Sequence, residues 1–122
     1  MKKVLVIEDE KELVEVIASQ LKEEGIDVHV AHDGVEGLEA SLKIHPDLIL
    51  LDIIMPRMDG MTMLDKLRKD SWGKDAKVVL LTNLSDNEKV AEAIRQHSYD
   101  YLVKADWNIR DVVKMVKEKL GE

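Results

Sequence analysis

Short apolar runs separated by longer amphipathic stretches make up most of this chain. Residues 4–7 and 48–51 are continuous aliphatic runs, which are typical of strands buried on both faces. Residues 26–30 instead alternate apolar and polar side chains, which indicates a strand nearer the edge of a sheet. Two further apolar runs, 77–82 and 99–103, complete a set of five predicted strands, with 48–51 expected at the centre.

Each predicted strand is followed by apolar residues at helical spacing, which predicts a helix after every strand. Gly25 ends the first helix, the second ends before Pro46, Ser85 or Asp86 caps the fourth, and Asn108 caps the last. The residues that mark the five helices are Leu13, Val16, Ile17 and Leu21; Val35, Leu38 and Leu42; Met61, Leu64 and Leu67; Val90, Ala93 and Ile94; and Ile109, Val112, Val113, Val116 and Leu120.

This alternation of strands and helices predicts an α/β fold, a parallel sheet with helices on both faces. The chain has 122 residues, which suits one domain over 1–122 with a core of its own. In an open sheet of this kind, ligands bind beyond the carboxyl ends of the strands, where the strand order switches. The residues that follow the strands are therefore the candidate functional residues.

Charge and composition narrow the classes of function. Lys and Arg number 18 and Asp and Glu 25, so the formal net charge is −7, which argues against direct nucleic-acid binding by this domain. No apolar run approaches the roughly 18 residues of a membrane span. The acids from Glu8 onward interrupt the apolar stretch that an export signal needs, and there is no Cys, so we expect a cytoplasmic protein.

Polar residues stand at the end of four of the predicted strands or directly after it. Glu8 and Asp9 follow the first strand and Asp52 the third, while Thr82 ends the fourth strand and Lys104 follows the fifth. Because the carboxyl ends of parallel strands share one edge, these side chains are expected to meet in one small cavity. Clustered carboxylates repel one another unless a cation is present, and a hard ion such as Mg²⁺ suits a site of oxygen ligands and waters.

The chemistry of such a cavity fits reversible phosphorylation of an aspartate. Asp52 is a carboxylate nucleophile that can form an acyl phosphate. The divalent ion can neutralise charge on one phosphoryl oxygen, and the Lys104 ammonium can neutralise charge on a second. The Thr82 hydroxyl can donate a hydrogen bond to the third.

These residues together resemble the receiver domains of response regulators in two-component systems, in particular the single-domain, chemotaxis-regulator-like type. The resemblance covers essentially the whole chain. It implies a doubly wound, five-stranded parallel (βα)5 sheet of the flavodoxin-like class with strand order 2-1-3-4-5. The motifs that carry it are Glu8-Asp9, the segment Asp52-Ile53-Ile54-Met55-Pro56-Arg57-Met58-Asp59-Gly60, Thr82, and Tyr101-Leu102-Val103-Lys104.

The resemblance also implies roles for individual residues. Asp52 is expected to be the phosphoacceptor and a ligand of Mg²⁺, for which Mn²⁺ is a substitute. Asp9 is the second carboxylate ligand, Glu8 acts through water, and Ile54 supplies a backbone carbonyl. Thr82 and Lys104 are expected to contact the phosphoryl group. Tyr101 is expected to turn inward when Thr82 moves.

Partners follow from the same resemblance. A sensor histidine kinase or phosphotransfer protein is the expected phosphodonor. A downstream protein is expected to bind the face formed by the fourth helix, fifth strand and fifth helix. The domain is expected to be a monomer or weak dimer. It would catalyse only its own phosphorylation and dephosphorylation.

Three residues depart from the family pattern at or near the predicted site. Ala105 follows the lysine where proline is usual, Asn83 follows the threonine where a small residue is usual, and His97 stands where glycine is usual. Ile54 and Leu84 flank the site with apolar side chains, and we expect them to impede an attacking water. Asn83, Leu84 and Ala105 are accordingly candidate modulators of the phosphorylated state.

Other interpretations of the same residues stay open at this point. The acids after the first strand would also suit a solvated start of the first helix. A phosphohydrolase with an aspartyl nucleophile usually carries an acid two residues later, where this chain has Ile54. A phosphorylation-independent binding module on the same fold is a third interpretation, which the departures at Asn83 and Ala105 favour.

Overall fold

The computed structural model describes residues 1–82, 100–103 and 108–121, which contain five strands and four α-helices. The predicted fourth helix and its Ser85 or Asp86 cap lie outside these residues. The strands are β1 Lys3–Ile7, β2 Asp27–Ala31, β3 Leu48–Asp52, β4 Val78–Thr82 and β5 Asp100–Val103. The helices are α1 Lys11–Glu23, α2 Gly34–Ile44, α3 Gly60–Arg68 and the C-terminal helix Ile109–Leu120, with a 3₁₀ turn at Gly73–Asp75.

All strand pairs are parallel, and the sheet order is β2-β1-β3-β4-β5. This confirms the predicted doubly wound, flavodoxin-like α/β class and the predicted strand order. β3 is the central strand and all five of its residues are buried, whereas β2 lies at one edge and is mostly half-buried. Their sequences differ accordingly, because the central strand is covered on both faces whereas the edge strand is only partly covered.

The alternation of side chains along each strand divides the core into two layers, one on each face of the sheet. On one face, Leu5, Ile7 and Leu51 pack with residues of α3, including Met63 and Leu67. On the other face, Val4, Val6, Leu50 and Leu81 pack with Ile17 and Leu21 of α1 and with Val112 and Val116 of the C-terminal helix. The two clusters together fill a core that contains no Phe.

The helices α1 and α2 form where the sequence predicts them, but not every residue that marks them faces the core. In α1 the buried residues are Val14, Ile17, Ala18 and Leu21, whereas Val16 is 52% exposed. In α2, Val35 is 36% and Leu42 38% exposed. The buried positions of α2 are the small residues Gly34, Gly37 and Ser41.

Small residues let α2 lie close to the sheet. A Cβ atom at Gly37 would approach the Ile7 side chain to 2.7 Å, so a larger side chain there would force the helix away from β1. The buried Ser41 hydroxyl donates a hydrogen bond to the Gly37 carbonyl at 2.7 Å, within the same helix. The close approach therefore turns the small residues inward and leaves the aliphatic ones at the rim.

Helix ends follow the local sequence signals. The Asn108 side chain accepts from the Asp111 N–H at 3.1 Å and Asp111 reaches back to the Asn108 N–H, a capping box that confirms the predicted cap. Beyond α1, Gly25 takes a left-handed conformation with φ of 80° and donates to the Lys22 carbonyl. Gly25 thus ends the first helix as predicted.

Candidate functional site

Glu8 follows β1 and is completely buried. Its N–H donates to the Ala31 carbonyl at 3.1 Å, which ties the end of β1 to the end of β2. Its carboxylate accepts from the Asp9 N–H at 2.9 Å and therefore lies beside the backbone that follows β1. A solvated start of α1 does not describe Glu8, although Asp9 and Glu10 are exposed.

Asp52 is the last residue of β3 and is 4% exposed. Its backbone is held in the sheet opposite Leu81 of β4, so its position is set by the pairing of β3 with β4. It lies next to β1 because β1 and β3 are neighbours in the sheet. The parallel pairing of β1 and β3 therefore brings residues 8 and 9 to the same edge as residue 52.

Carboxylate oxygens of Glu8, Asp9 and Asp52 lie within 4.8 Å of one another. Three carboxylates so close together repel one another, and two of them are buried, where water screens the repulsion poorly. A hard divalent cation with oxygen ligands relieves this repulsion, and Mg²⁺ characteristically uses one or two protein carboxylates and keeps several waters. The exposed Asp9 leaves one side of the cluster open to solvent, so the donor set fits the predicted Mg²⁺.

The loop between β3 and α3 passes beside this cluster. Ile53 and Met55 are buried, at 3% and 8% exposure, and Ile54 between them is 60% exposed. The Gly60 N–H donates to the Ile53 carbonyl at 2.7 Å, which folds the start of α3 onto the end of β3. The two buried side chains anchor the loop and leave Ile54 at the surface beside Asp52.

Asp33, which sequence reasoning did not single out, links this loop to the start of α2. Its carboxylate accepts from the Glu36 N–H at 2.9 Å and from the Arg57 Nε at 2.8 Å. The hydrogen bond from the Glu36 N–H makes the largest contribution and the one from Arg57 the next largest. Together they hold the pKa of the Asp33 carboxyl below its usual value near 3.8. The same carboxylate raises the pKa of the Arg57 guanidinium. The available signal was an aspartate at the start of α2, typical of a helix cap.

Of the residues predicted on the other strands, Thr82 and Tyr101 belong to the described part of the chain. The Thr82 backbone ends β4 opposite Val103, at the same edge as Asp52. The structure describes only the backbone of Thr82. Tyr101 lies on β5 and is 41% exposed. Five residues singled out in the sequence lie outside the described residues, namely Asn83, Leu84, His97, Lys104 and Ala105.

The strand order and the acidic edge define an α/β domain of the flavodoxin-like class with a candidate cation site at its carboxyl edge. The family model for the response regulator receiver domain matches residues 4–117. The chain belongs to this family, whose members act in phosphorylation-based two-component signalling and are regulatory domains. The predicted resemblance is confirmed.

Relatives of known function agree with this assignment. The chain is 32% identical over 118 residues to the DNA-binding response regulator MtrA of Mycobacterium tuberculosis, covering 97% of this chain and 50% of that protein. It is 30% identical over 120 residues to the DNA-binding dual master transcriptional regulator RpaA of a Synechocystis strain, covering 98% of this chain and 49% of that protein. The chain thus spans about half the length of these relatives.

Solved structures agree as well. The Francisella response regulator 1452 receiver domain superposes with a TM-score of 0.85 at 33% identity, covering 99% of this chain and 98% of that one. The chemotaxis protein CheY4 of Vibrio cholerae gives a TM-score of 0.84 at 29% identity, covering 97% of this chain and 98% of that one. Within residues 1–82, 100–103 and 108–121, no helix combines the length and hydrophobicity that crossing a membrane requires.

Proposed function

We propose that residues 1–122 act as one receiver domain that takes a phosphoryl group onto Asp52 in the presence of Mg²⁺. The observation that carries this proposal is the cluster of Glu8, Asp9 and Asp52, whose carboxylate oxygens lie within 4.8 Å of one another at the carboxyl edge of the sheet. Family membership supports it, because such domains are regulatory and bind Mg²⁺ at an acidic pocket.

Asp9 and Asp52 would hold the ion through their carboxylates, Ile54 through its backbone carbonyl, and Glu8 through a water. Mn²⁺ is an acceptable substitute because it shares the preference for oxygen ligands. When bound, the ion neutralises negative charge on a phosphoryl oxygen. The buried Glu8 supports an indirect role, because its carboxylate already accepts from the Asp9 N–H.

In the proposed reaction an Asp52 oxygen attacks the phosphorus of a phosphohistidine. A carboxyl O–P bond forms, the N–P bond breaks, and the histidine ring leaves and takes up a proton. The Thr82 hydroxyl and the Lys104 ammonium would contact the phosphoryl oxygens. Water later hydrolyses the acyl phosphate and regenerates the Asp52 carboxylate. The domain promotes only these two reactions of its own aspartate and is no turnover enzyme.

The phosphodonor in this proposal is a sensor histidine kinase or a phosphotransfer protein. After phosphorylation Thr82 would move toward the phosphoryl group and Tyr101 would turn inward, which changes the face formed by the fourth helix, β5 and the C-terminal helix. Tyr101 supports this step because it is 41% exposed on β5, and a side chain that turns inward has to start from an outward position. Asn83, Leu84 and Ala105 would modulate the lifetime of the phosphorylated form.

A downstream protein is the proposed partner of the face formed by the fourth helix, β5 and the C-terminal helix. The domain itself is proposed to be cytoplasmic and to be a monomer or weak dimer. MtrA and RpaA are described as DNA-binding, and they are about twice as long as this chain. The net charge of −7 supports a domain that does not itself hold nucleic acid. DNA binding would belong to a longer protein of the same kind.

The test is the intact mass after incubation with Mg²⁺ and phosphoramidate. The wild-type chain should gain one phosphoryl group, a gain that a chelator of Mg²⁺ abolishes. Asp52→Asn should gain none, and Asp65→Asn, which changes an exposed carboxylate of α3, should behave as wild type. An unchanged wild-type mass contradicts the proposal and favours a phosphorylation-independent binding module. Sustained turnover of a chromogenic phosphate ester would instead favour a phosphohydrolase.

A further inference from the structure

Arg57 occupies an unfavourable backbone conformation in the loop between β3 and α3. Its φ is 66°, in the left-handed region that side chains other than glycine seldom adopt. Residues held in such a conformation persist when the surrounding structure compensates for it. The contacts of the Arg57 side chain are therefore expected to compensate for this conformation.

The compensating contact is an ion pair with Asp33. The Arg57 Nε donates to Asp33 Oδ2 at 2.8 Å, and the Nη2 of Arg57 contacts the same oxygen. The other oxygen, Oδ1, accepts from the Glu36 N–H at 2.9 Å and so caps α2. The Asp33 side chain is only 6% exposed, so it is held in place on both sides. One carboxylate thus joins a helix start to the loop.

A second contact holds the next residue of the loop to the same helix. The Gly34 N–H donates to the Met58 carbonyl at 3.0 Å. A Cβ atom at position 34 would lie 2.3 Å from that oxygen, so only glycine allows this approach. Residues 57 and 58 are therefore fastened to the first two positions at the start of α2.

The fastened loop is the one that carries Ile54. Its first residues are anchored by the buried Ile53 and Met55, and its end is anchored by the hydrogen bond from Gly60 to Ile53. Two contacts join the middle of the loop to α2, namely the Asp33–Arg57 ion pair and the Gly34–Met58 hydrogen bond. Loosening the pair would let the loop shift relative to Asp52.

We infer that Asp33 and Arg57 are positioning residues that hold the β3–α3 loop in place and so make the acidic site select Mg²⁺ over the larger Ca²⁺. The inference rests on the proposed function of this site. Mg²⁺ demands near-ideal geometry at short distances, whereas Ca²⁺ tolerates flexible sites with longer bonds. A loop that holds one ligand rigidly favours the smaller ion, and a loosened loop loses that preference.

The experiment compares Mg²⁺ and Ca²⁺ dissociation constants, measured by calorimetry, in the wild type, Asp33→Asn, Arg57→Gly and Arg57→Lys. Asp33→Asn keeps a cap oxygen for α2 but removes the charge, and Arg57→Gly removes the guanidinium while relieving the backbone conformation. Each should weaken Mg²⁺ binding about tenfold, the order found when supporting groups of metal ligands are removed. Ca²⁺ binding should change much less, and Arg57→Lys should restore part of the Mg²⁺ affinity.

Two further variants make the test specific. The double variant Asp33→Asn/Arg57→Gly should bind Mg²⁺ no more weakly than either single variant, because both remove one contact. Lys117→Ala breaks a comparable ion pair, in which the Lys117 Nζ lies 2.9 Å from a carboxylate oxygen of Glu24 at the end of α1. This control should keep the wild-type ratio of the two constants even if the free energy of unfolding falls.

The outcomes separate this inference from the proposed function. If the wild type binds Mg²⁺ and is phosphorylated, but the variants keep its ratio of Mg²⁺ to Ca²⁺ affinity, the inference is wrong and the function stands. Equal weakening of both ions, in proportion to lost stability, also overturns it. If the wild type neither binds Mg²⁺ nor gains a phosphoryl group, the proposed function fails, and this inference fails with it.

Discussion

The carbonyl oxygen of Asp52 occupies the place where a side chain at Gly60 would begin. A Cβ atom at position 60 would lie 2.1 Å from this oxygen and 2.9 Å from the Cα of Ile53. The start of α3 therefore rests directly on the backbone of the proposed phosphoacceptor. Asp59 caps this helix by accepting from the Thr62 N–H at 2.8 Å, so the contact is made by a well-defined helix end.

Gly60→Ala should destabilise the fold because the close contact is with backbone, which cannot move aside as a flexible side chain can. We expect the free energy of unfolding to fall by about 3 kcal/mol, the upper range for forcing a methyl group into a packed site. Gly25→Ala is the control, because Gly25 has φ of 80° but nothing within 4 Å of a new Cβ. It should cost about 1 kcal/mol. Urea denaturation measures both, and equal costs would contradict the steric argument.

Asp33 should make stability depend on pH in the acidic range. Its folded-state pKa lies below the usual value near 3.8, so its contribution is complete above 3.8 and is lost as the pH falls through the folded-state pKa. The stability difference between wild type and Asp33→Asn should therefore be largest at neutral pH and shrink below 3.8. Chemical denaturation over a pH series measures it, with Asp65→Asn as an exposed control. A difference that grows toward acid would contradict the prediction.

Mg²⁺ should stabilise the folded chain, because the cluster of carboxylates exists only in the folded state. The gain should be about 2.7 kcal/mol when free Mg²⁺ is about 100 times its dissociation constant. Asp9→Asn should lose most of this gain, since it removes one of the carboxylates of the cluster. Glu12→Gln, at an exposed position in the first turn of α1, should keep it. Thermal unfolding with and without Mg²⁺ tests this, and an unaltered gain in Asp9→Asn would exclude Asp9 as a ligand.

Ile54 should slow the loss of the phosphoryl group from Asp52. The side chain is 60% exposed next to the proposed phosphoacceptor, where it hinders the approach of a water to the acyl phosphate. The double variant Ile54→Asn/Leu84→Asn should lose the phosphoryl group severalfold faster than the wild type. The loss is measured by intact mass after the phosphodonor is removed. Val16→Asn changes an aliphatic residue on α1 that is 52% exposed and should keep the wild-type rate. An unchanged rate in the double variant would end this hypothesis.

Sequence reasoning succeeded where one local pattern had one structural solution. Continuous aliphatic runs predicted the buried strands, and their alternation with helices predicted a parallel sheet. The position of Asp52 at the end of the central strand followed, because a strand buried on both faces must end where polar residues begin. Glu8 and Asp9 were placed at the same edge by the same argument. The Asn108 cap was also correct, because capping depends on residues close in sequence.

The faces of α1 and α2 show where local patterns fell short. Val35 and Leu42 have the spacing of a buried stripe, yet they are partly exposed, while Gly37 and Ser41 are buried. The reason is that glycine lets the α2 backbone approach Ile7 so closely that the small side of the helix faces the sheet. A hydrophobicity pattern does not record how closely two backbones approach.

The sequence alone determined the alternation of strands and helices along the chain, the strand ends that carry carboxylates, and the net charge of −7. Each of these depends on neighbouring residues or on a sum over residues. Only the tertiary structure decided that Glu8 is buried whereas Asp9 is exposed, and that Asp33 joins Arg57. These relationships bring together residues from different loops, and their geometry depends on how the sheet and α2 pack.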